Sequence, residues 1–152
     1  MAHSKRNTQI SISDNFEFDK EIDVLRLFGY CYKAYRRATK NLNEQSFVWF
    51  PRLAIKTDNG EIVKQSKNWI NLISDDRETI YEKYTSEDEV TIEQRYSERD
   101  QGGHRIVFAK SKNYLNRYCY RFIGIYKFDK FEDGWAVHKR IGKSISVGDK
   151  IT

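Results

Sequence analysis

His104-Arg-Ile-Val-Phe-Ala-Lys110 and Tyr118-Cys-Tyr-Arg-Phe-Ile-Gly-Ile-Tyr-Lys-Phe128 decide how this chain folds. In the second segment Tyr118, Tyr120, Phe122, Gly124, Tyr126 and Phe128 share one parity, and Cys119, Arg121, Ile123, Ile125 and Lys127 share the other. Successive side chains of a strand point to opposite faces, so the alternation predicts two β-strands. Both strands carry rings and cations together. A sheet of that kind offers π-surfaces for bases and positive charge for phosphates. It also describes an ordinary aromatic core with a solvated rim.

Working outward, Trp135–Ile141 forms a further strand after a turn at Glu132-Asp-Gly134. Upstream, Asp100-Gln-Gly-Gly103 is a turn, and Thr79–Tyr84 and Val90–Tyr96 alternate like short strands. Ser46–Lys56 reads as a strand containing the single proline, Pro51. Proline has no N–H for a ladder, so Pro51 marks an edge, a bulge or a break. Asp58-Asn-Gly60 predicts a hairpin, because Asn-Gly accepts the positive φ angles of a type I′ turn, and Glu61–Lys64 returns from it. The apolar, amide-rich segment Lys67–Asp76 has no clear period. Between Asp19 and Lys40, Ile22, Leu25, Phe28, Tyr32 and Tyr35 recur every three or four residues and predict one long N-terminal helix. Lys33, Arg36, Arg37 and Lys40 gather at its C-terminal end, where the helix dipole favours cations. The same cluster offers contacts to phosphate. Residues 1–13 are polar and are expected to form a flexible arm, with 14–152 a single domain. About seven short strands with one helix predict an α+β fold, a sandwich or barrel whose sheet is mostly antiparallel and strongly curved.

The 152 residues are enough for one domain with a real core, and the 14% aromatic content supplies much of its burial. Cys31 and Cys119 are far apart, with neither a CxxC pair nor a histidine cluster. Structural zinc and a disulfide framework are therefore not expected. No apolar run reaches the roughly 20 residues of a membrane span. A cytoplasmic protein with reduced thiols and no membrane partner is expected. The net charge of +5 is segregated. Residues 72–101 carry 4 basic against 10 acidic side chains, whereas 102–152 carry 11 against 4. Such segregation can orient a polyanion, or it can be satisfied by pairing inside the fold.

No catalytic constellation is present. The eight glycines are scattered, so there is no phosphate-binding loop, and no GxSxG elbow occurs. His3, His104 and His138 lie apart. Asp58 with Glu61-Ile-Val-Lys64 approaches a magnesium nuclease pattern, but the spacing is wrong. The chain is expected to be a binding module rather than an enzyme, with no metal and no cofactor. Asn68-Trp-Ile-Asn71 is a poor core strand and a good wall for a pocket that stacks a planar base and reads its edge. The base-pocket candidates are Trp49, Asn68, Trp69, Asn71, Asp75 and Tyr81. The phosphate-binding candidates are Arg105, Lys110, Arg121, Lys127, Lys139 and Arg140. Arg105, Arg121 and Lys139 are expected to meet if their strands present them on one face.

Arg105-Ile-Val-Phe-Ala-Lys110, then Tyr120-Arg-Phe-Ile-Gly-Ile-Tyr126 and Val137-His-Lys-Arg-Ile141, resemble the end of small β-barrel modules of the PUA-like superfamily, the SRA, EVE and ASCH kinds. The similarity spans residues 103–142. It implies a curved barrel without catalysis of its own and a pocket for a flipped or modified base. It also implies a nucleic-acid partner, DNA rather than RNA, and a nuclease as partner domain or protein. The rival expectation is a phage or defence-system regulator that binds protein instead, motivated by the acidic segment 72–101.

Overall fold

The computed structural model describes residues 7–86 and 88–148. In chain order these form β1 (Asn7–Ser11), α1 (Glu21–Leu27), β2 (Thr39–Asn41), β3 (Ser46–Trp49), β4 (Ile55–Lys56) and β5 (Ile62–Val63). Then follow β6 (Trp69–Ile73), β7 (Thr79–Tyr84), α2 (Ile92–Arg95), α3 (Glu98–Gly102), β8 (His104–Lys112), β9 (Tyr118–Glu132), β10 (Trp135–Gly142) and β11 (Ser144–Gly148).

Seven strands make the main sheet in the order β2-β3-β8-β9-β10-β7-β6. All neighbours are antiparallel except β3 and β8, which run parallel. The sheet curls until one stretch of chain touches two distant strands. Lys110 N–H donates to the Pro51 carbonyl at 2.8 Å and Leu53 N–H to the Lys110 carbonyl at 3.3 Å, while Ala54 N–H reaches Asn71 of β6 at 2.8 Å. Single bridges, not a ladder, span this gap. The barrel is therefore not closed. Pro51 cannot donate to the ladder, so β3 ends before it and only the Arg52–Lys110 bridge continues the pairing with β8.

Strand β9 bends at Gly124. Its φ is +134°, and an added Cβ would stand 2.5 Å from Arg140 Cδ and 2.9 Å from the Gly142 carbonyl. The facing ladder shifts register between Val107 and Phe108. Side-chain parity inverts across the bend. Before it, Tyr120 and Phe122 pack with Val24, Leu25, Val48, Phe50 and Phe108. Beyond it, Tyr126 joins Ile123, Phe47, Trp49, Ile80 and Val107 on the opposite side. The single unbroken alternation expected over Tyr118–Phe128 is corrected accordingly.

The first core is covered by α1 and by the antiparallel pair β1 and β11, through Ile10, Ile145 and Val147. Residues 7–11 of the expected flexible arm are thus a strand held by its pairing to β11; residues 1–6 lie outside the described residues. The expected long helix is also corrected. Helix α1 has seven residues, and Gly29 follows it at φ +84°. Beyond that point the helix-spaced rings turn onto the core as irregular chain: Phe28 meets Phe108 edge-on at 6.3 Å, and Tyr32 lies 5.4 Å from Tyr35. Their spacing reported burial on one side rather than helical continuity. Val90–Tyr96, expected as a strand, contains α2 instead. Thr91 and Gln94 cap it reciprocally, and that capping box overrides the alternation. No helix among the described residues is long and apolar enough to cross a membrane.

Candidate functional site

Strands β6 and β7 present matched rungs: Trp69 opposite Tyr84, Asn71 opposite Glu82, and Ile73 opposite Ile80. Parity puts Trp69, Asn71, Glu82 and Tyr84 on one face. Ile80 and Ile73 anchor the apolar end of that face in the core, and the polar end opens into a cavity of about 460 Å³. Trp49 from β3, Arg105 from β8 and Tyr96 from the α2–α3 connection complete its inner wall. Arg36, Arg37, Arg52 and Arg95 stand around the opening, all four exposed.

The floor is a buried polar cluster. The Arg105 side chain is 3% exposed. Its guanidinium lies 4.7 Å from the Trp49 ring, 5.0 Å from Phe47 and 5.2 Å from Tyr96. Desolvated cation–π contacts of this kind contribute about 2 kcal/mol or more. It sits 3.8 Å from carboxylate oxygens of both Glu82 and Asp100, and it donates to the Asp100 carbonyl at 3.1 Å. Burial by itself would raise the Glu82 pKa. The His138 hydrogen bond, the Arg105 charge and the Tyr96 hydroxyl outweigh it and hold the carboxyl below its ordinary value.

The tautomer of His138 follows from its partners. Tyr96 donates its hydroxyl hydrogen to Glu82 Oε1. His138 Nε2, 2.7 Å from that hydroxyl and 3.3 Å from Glu82 Oε1, is then the donor to both. Nδ1 is buried with no partner, which suits a bare lone pair and not a second N–H. Burial accordingly pushes the His138 pKa down, and the ring is neutral. Burial likewise pushes the Tyr96 hydroxyl far above its ordinary value, so it remains a donor.

Asn71 is 4% exposed and its Oδ1 accepts no hydrogen bond. A buried acceptor left unpaired costs about 1–3 kcal/mol. The amide lines the cavity, beside a carboxylate whose contacts with Tyr96, His138 and Arg105 all fall on Oε1.

Of the sequence-derived pocket residues, Trp49, Trp69 and Asn71 line this cavity and three others do not. Asn68 is exposed, and its carbonyl accepts from Thr85 N–H at 2.7 Å. Asp75 is exposed in the turn between β6 and β7. Tyr81 has the opposite parity to Glu82 and faces the other side of the sheet. The basic residues do not converge. Arg105 is buried opposite Tyr126, Arg121 stands opposite Ala109, and Lys139 opposite Lys127. Arg121 pairs with Glu17, Lys139 donates to Thr79 Oγ1 at 3.1 Å, and Arg140 is held by Glu78 at 2.6 Å. Lys127 is exposed, and Lys110 is half-buried beside Arg52. The expected patch fails because bulges and register separate cations that neighbouring strands were expected to present on one face.

Sequence reasoning missed Glu82 and Tyr96. Glu82 was legible in principle: it shares parity with Ile80, and a carboxylate on an apolar face calls for a partner. Tyr96 carried no local signal. The sequence pattern places Arg36 and Arg37 at a helix end; the early stop of α1 brings them to the cavity instead. No group of three or more metal-ligating side chains occurs among the described residues.

The chain matches the family model of the SRA (SET and RING associated) domain over residues 3–147. Three solved chains are similar to it. One, the 5-hydroxymethylcytosine-specific restriction enzyme AbaSI, is 35% identical with a TM-score of 0.74, and the match covers 95% of this chain and 44% of that one. The chain therefore spans less than half the length of that relative. No curated protein matches.

Proposed function

Because this chain belongs to the SRA domain family, we propose that it is a DNA-binding reader of modified cytosine, whose target base leaves the duplex and enters the cavity between β6, β7 and β8. The carrying observation is the orphaned Asn71 Oδ1 beside Glu82 at the cavity wall. Cytosine differs from thymine in donating an exocyclic amine. Asn71 Oδ1 and Glu82 Oε2 are two acceptors on one rung, suited to that amine's two N–H groups. The cavity falls within the size range of small-ligand pockets, with aromatic walls in Trp49, Trp69 and Tyr96. Trp69 packs edge-on against Tyr84 at 4.9 Å and supplies a stacking surface at the entrance. The cost of extruding a base is a few kcal/mol, which pairing and stacking inside a pocket can offset.

The relative's specificity for 5-hydroxymethylcytosine makes that base the first candidate ligand. In a restriction system, cleavage would come from a separate nuclease domain or partner. The protein-interaction reading is not favoured by the family match, and three of the ten acidic side chains that motivate it, Glu78, Glu82 and Asp100, are engaged by Arg140 and Arg105 within the fold.

Anisotropy titrations with duplexes carrying 5-hydroxymethylcytosine, 5-methylcytosine or cytosine at one site test the reading. A 2-aminopurine opposite the site reports extrusion. Tighter binding to a modified duplex with rising 2-aminopurine fluorescence is expected. Equal affinity for all three duplexes, with no fluorescence change, would sink it.

A further inference from the structure

We infer that Arg52 and Lys110 form a second subsite, adjoining the base cavity at Arg52, that holds one backbone phosphate of the bound strand. Arg52 and Lys110 are bridge partners, so their backbones run side by side and present two cations together. A small cavity of about 120 Å³ opens between them, lined also by Gln65 and Tyr118. At roughly 30 Å³ per water it holds about four waters, which is room for one tetrahedral anion.

Neither cation is ion-paired: among the described residues no carboxylate lies within ion-pairing distance of either. The carboxylate whose charge acts on Lys110 is Glu21, which also accepts from the Tyr120 hydroxyl at 2.6 Å. Burial, and after it the neighbouring Arg52 charge, hold the Lys110 ammonium below its ordinary pKa. Like charges kept together without a counterion destabilise the free protein, and an anion between them removes that penalty.

The site is also built. The Lys110 ammonium lies 5.3 Å from the Tyr118 ring and 5.7 Å from the Tyr120 ring, and the Tyr118 hydroxyl donates to Gln65 Oε1 at 3.1 Å. That last bond ties the β8–β9 hairpin to the segment leaving the β4–β5 ribbon. Arg52 lines both cavities. A strand whose base occupies the larger one therefore carries its backbone past the smaller one, which favours a phosphodiester over a free anion. The subsite rests on the nucleic-acid reading above, but it does not depend on which base is read.

The test measures affinity against salt concentration for wild type, Arg52→Gln and Lys110→Gln, on modified and unmodified duplexes. Each variant is expected to weaken binding several-fold on both duplexes and to lower the salt slope by about 0.9, and Lys110→Gln, which lies outside the base cavity, to leave the modified-to-unmodified ratio unchanged. Single methylphosphonate substitutions scanned along the strand should find one position where wild type loses affinity and Lys110→Gln does not. Lys110→Arg, which keeps the charge, should retain the sensitive position, so its loss in Lys110→Gln is read as loss of the cation rather than of the fold. An unchanged slope with no sensitive position overturns it. A loss confined to the modified duplex assigns the pair to base reading and also overturns it. Competition by millimolar inorganic phosphate at fixed ionic strength, with no methylphosphonate effect, makes it a free-anion site instead. If wild type does not prefer modified DNA, base reading falls while the salt slopes still decide the phosphate subsite.

Discussion

Asn71 and Glu82 face each other as register partners across β6 and β7, yet the carboxylate gathers three partners on Oε1 while the amide oxygen accepts none. On the proposed function, the difference separates a group held by the fold from one kept for the base. Replacing Asn71 with leucine removes the orphan acceptor and keeps the volume. The melting temperature of Asn71→Leu is expected to stay level or rise, since the orphan costs about 1–3 kcal/mol. Affinity for the modified duplex is expected to fall by about 1–3 kcal/mol. Calorimetry and anisotropy on one preparation decide it; a lower melting temperature with unchanged affinity would make Asn71 structural.

The two tryptophans of the cavity divide along the same line. Trp49 is 3% exposed and packs against His138 and the Arg105 guanidinium. Trp49→Ala is expected to cost about 3–5 kcal/mol of stability. Trp69 is half-buried at the entrance. Trp69→Ala is expected to cost about 1–3 kcal/mol of base binding, with a smaller loss on unfolding in urea. The reverse ranking would move the stacking surface inward to Trp49.

Stability should fall on acidification in two steps. His138 is held neutral, with its folded pKa below the ordinary 6.5, so its contribution is full above that value and is lost as pH falls below it. Glu82 has a folded pKa below 4.5, so its contribution is lost further down, as pH falls through the folded value. Urea midpoints between pH 8 and 4 should therefore drop, starting near pH 6.5. His138→Gln keeps an N–H donor for Tyr96 and should flatten the upper step alone. A wild-type profile flat down to pH 5 would contradict the neutral-histidine assignment.

Arginines of the site should sort by burial. Arg105→Met strands Glu82 and Asp100 without their shared cation, and breaking such a buried pair costs about 3–5 kcal/mol. Arg36 and Arg37 are exposed at the cavity rim. Arg36→Ala and Arg37→Ala are expected to change stability by less than about 0.5 kcal/mol, and to weaken DNA binding most at low salt. Thermal melts and salt titrations of the three variants check this together.

The alternation of Tyr118–Phe128 and of His104–Lys110 identified β9 and β8, and Asp58-Asn-Gly60 identified the β4–β5 turn. Trp69 and Asn71 were found as pocket residues because a ring flanked by amides is locally anomalous in a strand. Asn68 and Asp75 were grouped with them by proximity along the chain, although neither turns into the cavity. The helix over 19–40 failed because every-third spacing of rings also describes an irregular segment lying on a core.

Sequence by itself determined which segments extend, where they turn and which side chains share a face within one uninterrupted strand. These are consequences of backbone geometry two to four residues in range. Tertiary structure alone decided what meets across strands. The bend at Gly124 inverts parity halfway along β9, and register separates Arg105 from Arg121 and Lys139 while setting Arg52 beside Lys110 and Asn71 opposite Glu82. Such contacts depend on hydrogen-bond register and sheet closure, which are set by the packing of the whole core and leave no trace in a local window.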